Sequence, residues 1–261
     1  MQSDINSTIN SMNINKDTII FIPCYNCEKY ILPILKEIPP DLNNEIELLI
    51  VDNGSSDNTV PLIEQNLDKF PFKVHFIKNS GNVGYAGSQK IAFHNICQYP
   101  IVKRIIMLHG DGQYPGELLG LFKPYFNKGF DLINGYRSKK KYPQLDSTPW
   151  FTYLTIKLLS QFESIVTGID CKEWHSGFVM YSTKFLKRLP IDHLTHTNHI
   201  DGEIIMIAGL LNAKFKSIPI YKRYKKYSPF GGTDRIKYIY HVFDLMMRFL
   251  RNHHRNILKN M

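Results

Sequence analysis

The chain has 261 residues, 43% hydrophobic and 21% charged, with a formal net charge of +9. That balance excludes a disordered chain and allows one large α/β domain, or a core domain with an appendage. The positive excess favours anionic partners: phosphorylated ligands, nucleic acid or anionic lipid.

In chain order, residues 1–17 are rich in Ser and Asn and carry no apolar h-region, which predicts a frayed, disordered leader and not a signal peptide. Thr18–Pro23 reads as a first strand, and Cys27–Ile38 has helical spacing, with Pro33 dividing a first turn from the main helix. Glu45–Val51 is a second strand. It closes on Asp52–Asp57, where Ser56 or Asp57 caps a helix to about Leu67. Lys73–Ile77 is a third strand; a Gly-rich loop, Asn79–Gly87, leads into helix Ser88–Cys97. The apolar run Ile105–Leu108 reads as a buried fourth strand that stops at His109-Gly110-Asp111-Gly112. This strand–helix alternation implies parallel strands with right-handed crossovers.

The second half is less regular. It offers helix Glu117–Lys128, strand Asp131–Asn134, helix Trp150–Val166, strand Ser176–Tyr181, helix Asp201–Leu211 and strand Lys214–Pro219. From Asp234 onward, apolar residues recur every three or four positions among Arg235, Lys237, Arg248, Arg251 and Arg255, the pattern of a basic amphipathic helix. Three arrangements fit it: packing on the catalytic domain, a homo-oligomer through this helix, or an anionic membrane surface, with the charge favouring the membrane. The division expected is a leader at 1–17, a core domain at 18–232 and a helical tail at 233–261. No apolar run reaches bilayer-spanning length. Four cysteines do not suggest a disulfide framework, so the cytoplasm, or the cytoplasmic face of a membrane, is the expected location.

Asp111 sets a carboxylate at the C-terminal edge of a sheet, where open α/β folds bind ligands. Its flanking glycines leave room for something bulky to approach the backbone. It reads as the ligand of a divalent cation that holds a diphosphate. No G-x-G-x-x-G follows strand one and no P-loop pattern is present, so bound phosphates need a metal. The Cys24-x-x-Cys27 pair lacks a second pair for zinc, and His193, His196 and His199, without a partner carboxylate, read as a polar loop.

Four segments in register carry a resemblance: Pro23-Cys-Tyr-Asn26, Val51-Asp-Asn-Gly-Ser-Ser-Asp57, Asn82-Val-Gly-Tyr-Ala-Gly87 and His109-Gly-Asp-Gly-Gln-Tyr-Pro115. Together they resemble the family 2 glycosyltransferases, particularly the polyprenyl-phosphate sugar synthase branch. The resemblance implies a GT-A fold: a mostly parallel α/β sheet flanked by helices, with a Rossmann-like nucleotide-binding half. It also implies an inverting transfer from a UDP- or GDP-sugar to a lipid-linked or surface-glycan acceptor, and Mg²⁺ or Mn²⁺ as cofactor.

By similarity, Pro23, Tyr25, Asn26, Asp52, Asn82, Gly84, His109, Gly110, Asp111 and Arg137 surround the donor, with Tyr25 on the base and Asp52 on the base or ribose. Asp111 and His109 hold the metal, although His109 replaces the usual first acid and Asn53 the usual second acid after strand two. Asp201 is the candidate general base, with Glu203 next; Trp174, His175, Arg223, Lys225 and Lys226 lie on the acceptor side. A polyprenyl-phosphate acceptor needs little or no base. A sugar nucleotidyltransferase is the second enzyme reading, but it wants a basic Gly-rich loop after strand one that this chain lacks. Nucleic acid is not an expected partner.

Overall fold

A computed structural model of the chain describes residues 12–224 and 232–260. Seven strands form one sheet: β1 (Thr18–Cys24), β2 (Ile46–Asp52), β3 (Val74–Lys78), β4 (Arg104–Met107), β5 (Leu132–Arg137), β6 (Val179–Ser182) and β7 (Phe215–Ile220). The order is β3-β2-β1-β4-β6-β5-β7. Only β6 runs antiparallel to its neighbours. The helices are α1 (Ile31–Lys36), α2 (Thr59–Glu64), α3 (Gly84–Ile96), α4 (Trp150–Thr167), α5 (Thr183–Leu186), α6 (Ile200–Leu210), α7 (Gly232–Leu250) and α8 (His253–Lys259).

The alternation of side chains along a strand builds two cores. Ile19, Phe21, Leu49, Val51, Ile105 and Met107 face α3, α6 and α7, while Ile20, Ile22, Leu48, Ile50, Ile106 and Leu108 face α1 and the segment after Pro115. Each fully buried aliphatic chain contributes about 1.5–3 kcal/mol, so this double-sided burial fixes the register of β1, β2 and β4.

Four expectations change. Residues 117–128 form short 3-10 turns, Gly116–Leu121 and Lys123–Tyr125, because Gly116, Gly120 and Pro124 weaken an α-helix. Pro33 lies inside the first turn of α1, where its missing N–H costs nothing. Helix α3 begins at Gly84, whose N–H donates to Asn82 Oδ1 at 2.8 Å, and so takes in half of the expected loop. Part of the leader is docked: Ile14 is buried, Asn15 N–H donates to Glu47 and Asp17 pairs with Arg104.

The C-terminal helices lie on their own domain. Val242, Leu245 and Met246 are buried, and Phe243 packs on Phe162 of α4 with ring centroids 5.1 Å apart. Asn252, with φ of 58°, breaks the chain between α7 and α8. Among the described residues no helix is long and apolar enough to cross a membrane.

Glu203, on α6, anchors this tail. Its carboxylate meets His254 at 2.8 Å and Arg248 at 3.5 Å. Burial raises its pKa, but His254, the Thr195 N–H and Arg248 outweigh that and hold the carboxyl below the usual glutamate range. The stabilisation is therefore present above the ordinary glutamate pKa and lost as pH falls through the lowered one. Glu203→Gln is expected to cost on the order of 3 kcal/mol at neutral pH, with the gap to wild type closing as pH drops below the carboxylate range. Urea unfolding across pH checks this; a gap independent of pH contradicts it.

Candidate active site

The carboxyl ends of β1, β2 and β3 form a polar rim. Asn26 Oδ1 accepts from Ser56 N–H and Asn26 N–H donates to Ser55 Oγ, both at 2.9 Å, while Tyr25 stands half exposed beside them. Asp52 braces the turn that follows β2. It is buried, Oδ2 accepts from the Gly54 and Ser55 N–H groups at 2.9 and 3.0 Å, and Oδ1 accepts from the Ser55 hydroxyl. The carboxylate expected on base or ribose thus also holds its own turn. Gly110 N–H donates to Pro23 O at 3.2 Å, and a Cβ there would lie 2.7 Å from Cys24 Sγ. Glycine at 110 is thus a demand of β1–β4 packing, not an opening for a ligand. Cys24 and Cys27 are buried free thiols.

Beside the rim lies a cleft of about 470 Å³, within the range of small-ligand sites. Because β4, β5 and β7 run the same way, their carboxyl ends deliver Asp111, Arg137 and Lys222 to one edge, and the segment entering antiparallel β6 brings Trp174–Gly177 to the same place. Asp111 Oδ1 accepts from Gln113 N–H at 2.9 Å. Lys222 Nζ sits 4.5 Å from the Tyr114 ring centroid; burial, then Arg137, lowers its pKa. Arg137 is bound to Glu173, with Nε donating to Oε1 at 2.8 Å, and Nη2 donates to His175 O at 3.0 Å.

His109 packs between Tyr85 and Tyr114, with centroids 5.1 and 5.2 Å away. Burial lowers its pKa, so the imidazole is neutral at neutral pH. Its Nε2 is sealed against Gly177, where a Cβ would come within 2.4 Å. That nitrogen is not offered to an ion, while Asp111 lines the cleft.

Asp201 also lines the cleft, at the start of α6. Oδ1 accepts from Gln89 Nε2 at 2.9 Å and Tyr181 OH at 2.8 Å, and Oδ2 accepts from Tyr85 OH at 2.7 Å. A carboxylate has about four lone-pair sites, so one remains. Burial and then the Asp201 charge push both phenols well above their ordinary pKa, keeping them donors. Glu203 faces the tail, away from the cleft. Trp174 is fully buried in the core beside the cleft, with Nε1 donating to Ser164 Oγ at 3.0 Å. Arg223 turns to Glu37 at 2.6 Å. Lys225 and Lys226 lie outside the described residues.

His175 and His199 both line the cleft. The histidine triplet does not share one face: His193 and His196 are exposed, whereas His199 is buried with Nε2 at 2.8 Å from Glu163 Oε1. The partner carboxylate comes from α4, 36 residues away, a distance sequence spacing does not reveal. Lys222 was also missed, although it stands two residues past β7 in a basic, Tyr-rich stretch. The outer wall is apolar, made by Phe151, Ile156 and Leu159 of α4 and Ile239 of α7.

Residues 19–189 match the family described as Glycosyl transferase family 2. The chain belongs to that family. The Methanococcus voltae UDP-N-acetylglucosamine--dolichyl-phosphate N-acetylglucosaminyltransferase is 24% identical over 82% of this chain and 89% of its own. Glucosyl-3-phosphoglycerate synthase from Mycobacterium tuberculosis, crystallised with Mn²⁺, UDP and phosphoglyceric acid, superposes with a TM-score of 0.58 at 12% identity, over 91% of this chain and 78% of that one. S. aureus TarS 1–349 gives a TM-score of 0.51 at 18% identity over 79% of this chain, and the match spans only 59% of the TarS fragment. The fold is GT-A and the enzyme is a glycosyltransferase.

Gly177→Ala is expected to displace His109 and cost about 1–3 kcal/mol by overpacking, with weaker nucleotide binding in the cleft. Chemical denaturation together with nucleotide titration checks this. Unchanged stability and binding contradict the close approach.

Proposed function

We propose that this glycosyltransferase moves a sugar from a UDP- or GDP-sugar to a lipid-linked phosphate acceptor at a membrane surface, with inversion. The observation that carries the reading is the two-sided cleft: Asp111, Lys222 and Arg137 at the sheet edge, and an apolar wall of α4 and α7 opening outward. Ten of the exposed large hydrophobics lie on those two helices: Trp150, Phe151, Leu154, Leu158 and Ile165 on α4, and Ile236, Tyr240, Phe243, Met247 and Leu250 on α7. Phe151 belongs both to this surface and to the cleft. An apolar patch of this extent marks a membrane or partner surface, and the +9 charge suits anionic headgroups. The relative from M. voltae, named for a dolichyl-phosphate acceptor, supports the same class.

The donor diphosphate lies at the sheet edge in this reading. Asp111 fits a hard divalent cation, since one carboxylate with phosphate and water oxygens satisfies Mg²⁺ or Mn²⁺. Bound there, such an ion supplies positive charge to the departing diphosphate. Lys222 and Arg137 add to that neutralisation in a site of low dielectric, where it is worth most. The acceptor oxygen forms its bond to the anomeric carbon as the bond to the diphosphate breaks. A phosphate oxygen carries no proton to remove, so Asp201, held by three donors, acts as a positioning group.

Transfer of radiolabelled sugar from a panel of nucleotide-sugars to polyprenyl phosphate in vesicles tests the proposal. Chloroform-soluble label is expected from one nucleotide series, and Asp201→Asn is expected to slow transfer less than about tenfold; a drop of about 10²–10⁴ points instead to a hydroxyl acceptor needing a base. No label in lipid from any donor contradicts the acceptor class. The protein is also expected to sediment with anionic liposomes, less so at high salt and after deletion beyond Gly232. Sedimentation insensitive to both rules out the proposed surface.

A further inference from the structure

Behind the cleft, Glu163, His175, His199 and Tyr238 close a buried ring. The Tyr238 hydroxyl lies 2.8 Å from His175 Nδ1 and 3.0 Å from His199 Nδ1. Glu163 Oε1 lies 2.8 Å from His199 Nε2, and Oε2 lies 2.9 Å from His175 Nε2. The four residues come from four places: α4, the segment before β6, the start of α6, and α7.

Counting hydrogens exposes a deficit. One phenol proton serves one Nδ1, so the other Nδ1 must carry its own hydrogen. If His199 takes the phenol proton and donates from Nε2 to Glu163, His175 donates from Nδ1 to Tyr238. His175 Nε2 is then a bare lone pair facing a carboxylate lone pair. Those two atoms, His175 Nε2 and Glu163 Oε2, have no hydrogen-bond partner although both are buried, so their 2.9 Å contact is not aligned as a hydrogen bond. A positive species is required between them, either a proton or a metal ion. One ligand atom from each of Glu163, His175 and His199 lies within 4.8 Å of the others.

We propose that Glu163, His175 and His199 bind a zinc-class divalent cation at a site separate from Asp111, and that Tyr238 thereby fastens helix α7 over the cleft. Two imidazoles and one carboxylate suit zinc-class ions, whereas Mg²⁺ wants oxygen donors. With the ion on both Nε2 atoms, both Nδ1–H groups donate to the Tyr238 oxygen, the outer partner that ligating histidines ordinarily have. The ring then has no unmatched lone pair. His175, His199 and Tyr238 all border the cleft, so the ion ties the acceptor-side helix to the wall that carries Asp201. This inference stands independently of the acceptor proposed above.

The test uses the full-length protein stripped with a chelator and dialysed against Co²⁺ or Zn²⁺. Wild type is expected to take up one ion per chain, with Co²⁺ ligand-field bands, and Zn²⁺ but not Mg²⁺ is expected to raise the melting temperature. Asp111→Asn should retain the site, Glu163→Gln and His199→Gln should lose it, and Tyr238→Phe should weaken it by about 10–100-fold. Folded wild type that takes up neither ion shows a ring closed by a proton and overturns the proposal. Undiminished uptake in folded Glu163→Gln and His199→Gln places the ion elsewhere and overturns it too. Should both variants fail to fold, Tyr238→Phe decides, and unchanged affinity there is the contrary result.

Discussion

A buried carboxylate, Asp201, holds the two halves of the molecule in register. Its partners are Tyr85 and Gln89 from α3 and Tyr181 from β6, so one charge fixes three elements that are distant in sequence. Hydrogen bonds to a charged group are worth about 1.5–3 kcal/mol each, and leaving such a charge unmet costs more. The chain therefore has little freedom to open the cleft along this seam.

The cleft is polar at its floor and apolar at its mouth, and both properties come from topology. Parallel strands deliver Asp111, Arg137 and Lys222 to one sheet edge, where the cations are partly compensated and partly left to a ligand. Arg137 is occupied by Glu173, but Lys222 meets chiefly aromatic faces, an arrangement suited to an incoming anion. The mouth is closed by α4 and α7, whose inner residues pack together and whose outer residues remain exposed. Glu203 and His254 secure the tail that forms this wall, which links global stability to the shape of the cleft.

Much of this was legible in the sequence. The apolar runs at Ile19–Ile22, Leu48–Val51 and Ile105–Leu108 announced central strands, and the stop at His109–Gly112 placed Asp111 at the sheet edge. Asp201 was legible as a carboxylate at a helix start, but its three partners were not, since they lie 20, 112 and 116 residues away. Local propensity also misled where tertiary packing decided the outcome. Gly110 looked like space for a ligand and is filled by Cys24; Trp174 looked like a sugar platform and is core. His199 looked like part of a polar loop because Glu163, its counter-charge, sits on another helix.

The proposed function divides the labour between two carboxylates, giving Asp111 the donor's cation and Asp201 the geometry of the cleft. Calorimetric titration of a UDP- or GDP-sugar with and without Mn²⁺ into wild type, Asp111→Asn and Asp201→Asn tests that division most directly. The expected result is metal-dependent binding by wild type and Asp201→Asn and its loss in folded Asp111→Asn. Metal-dependent binding of wild-type strength in Asp111→Asn contradicts the account.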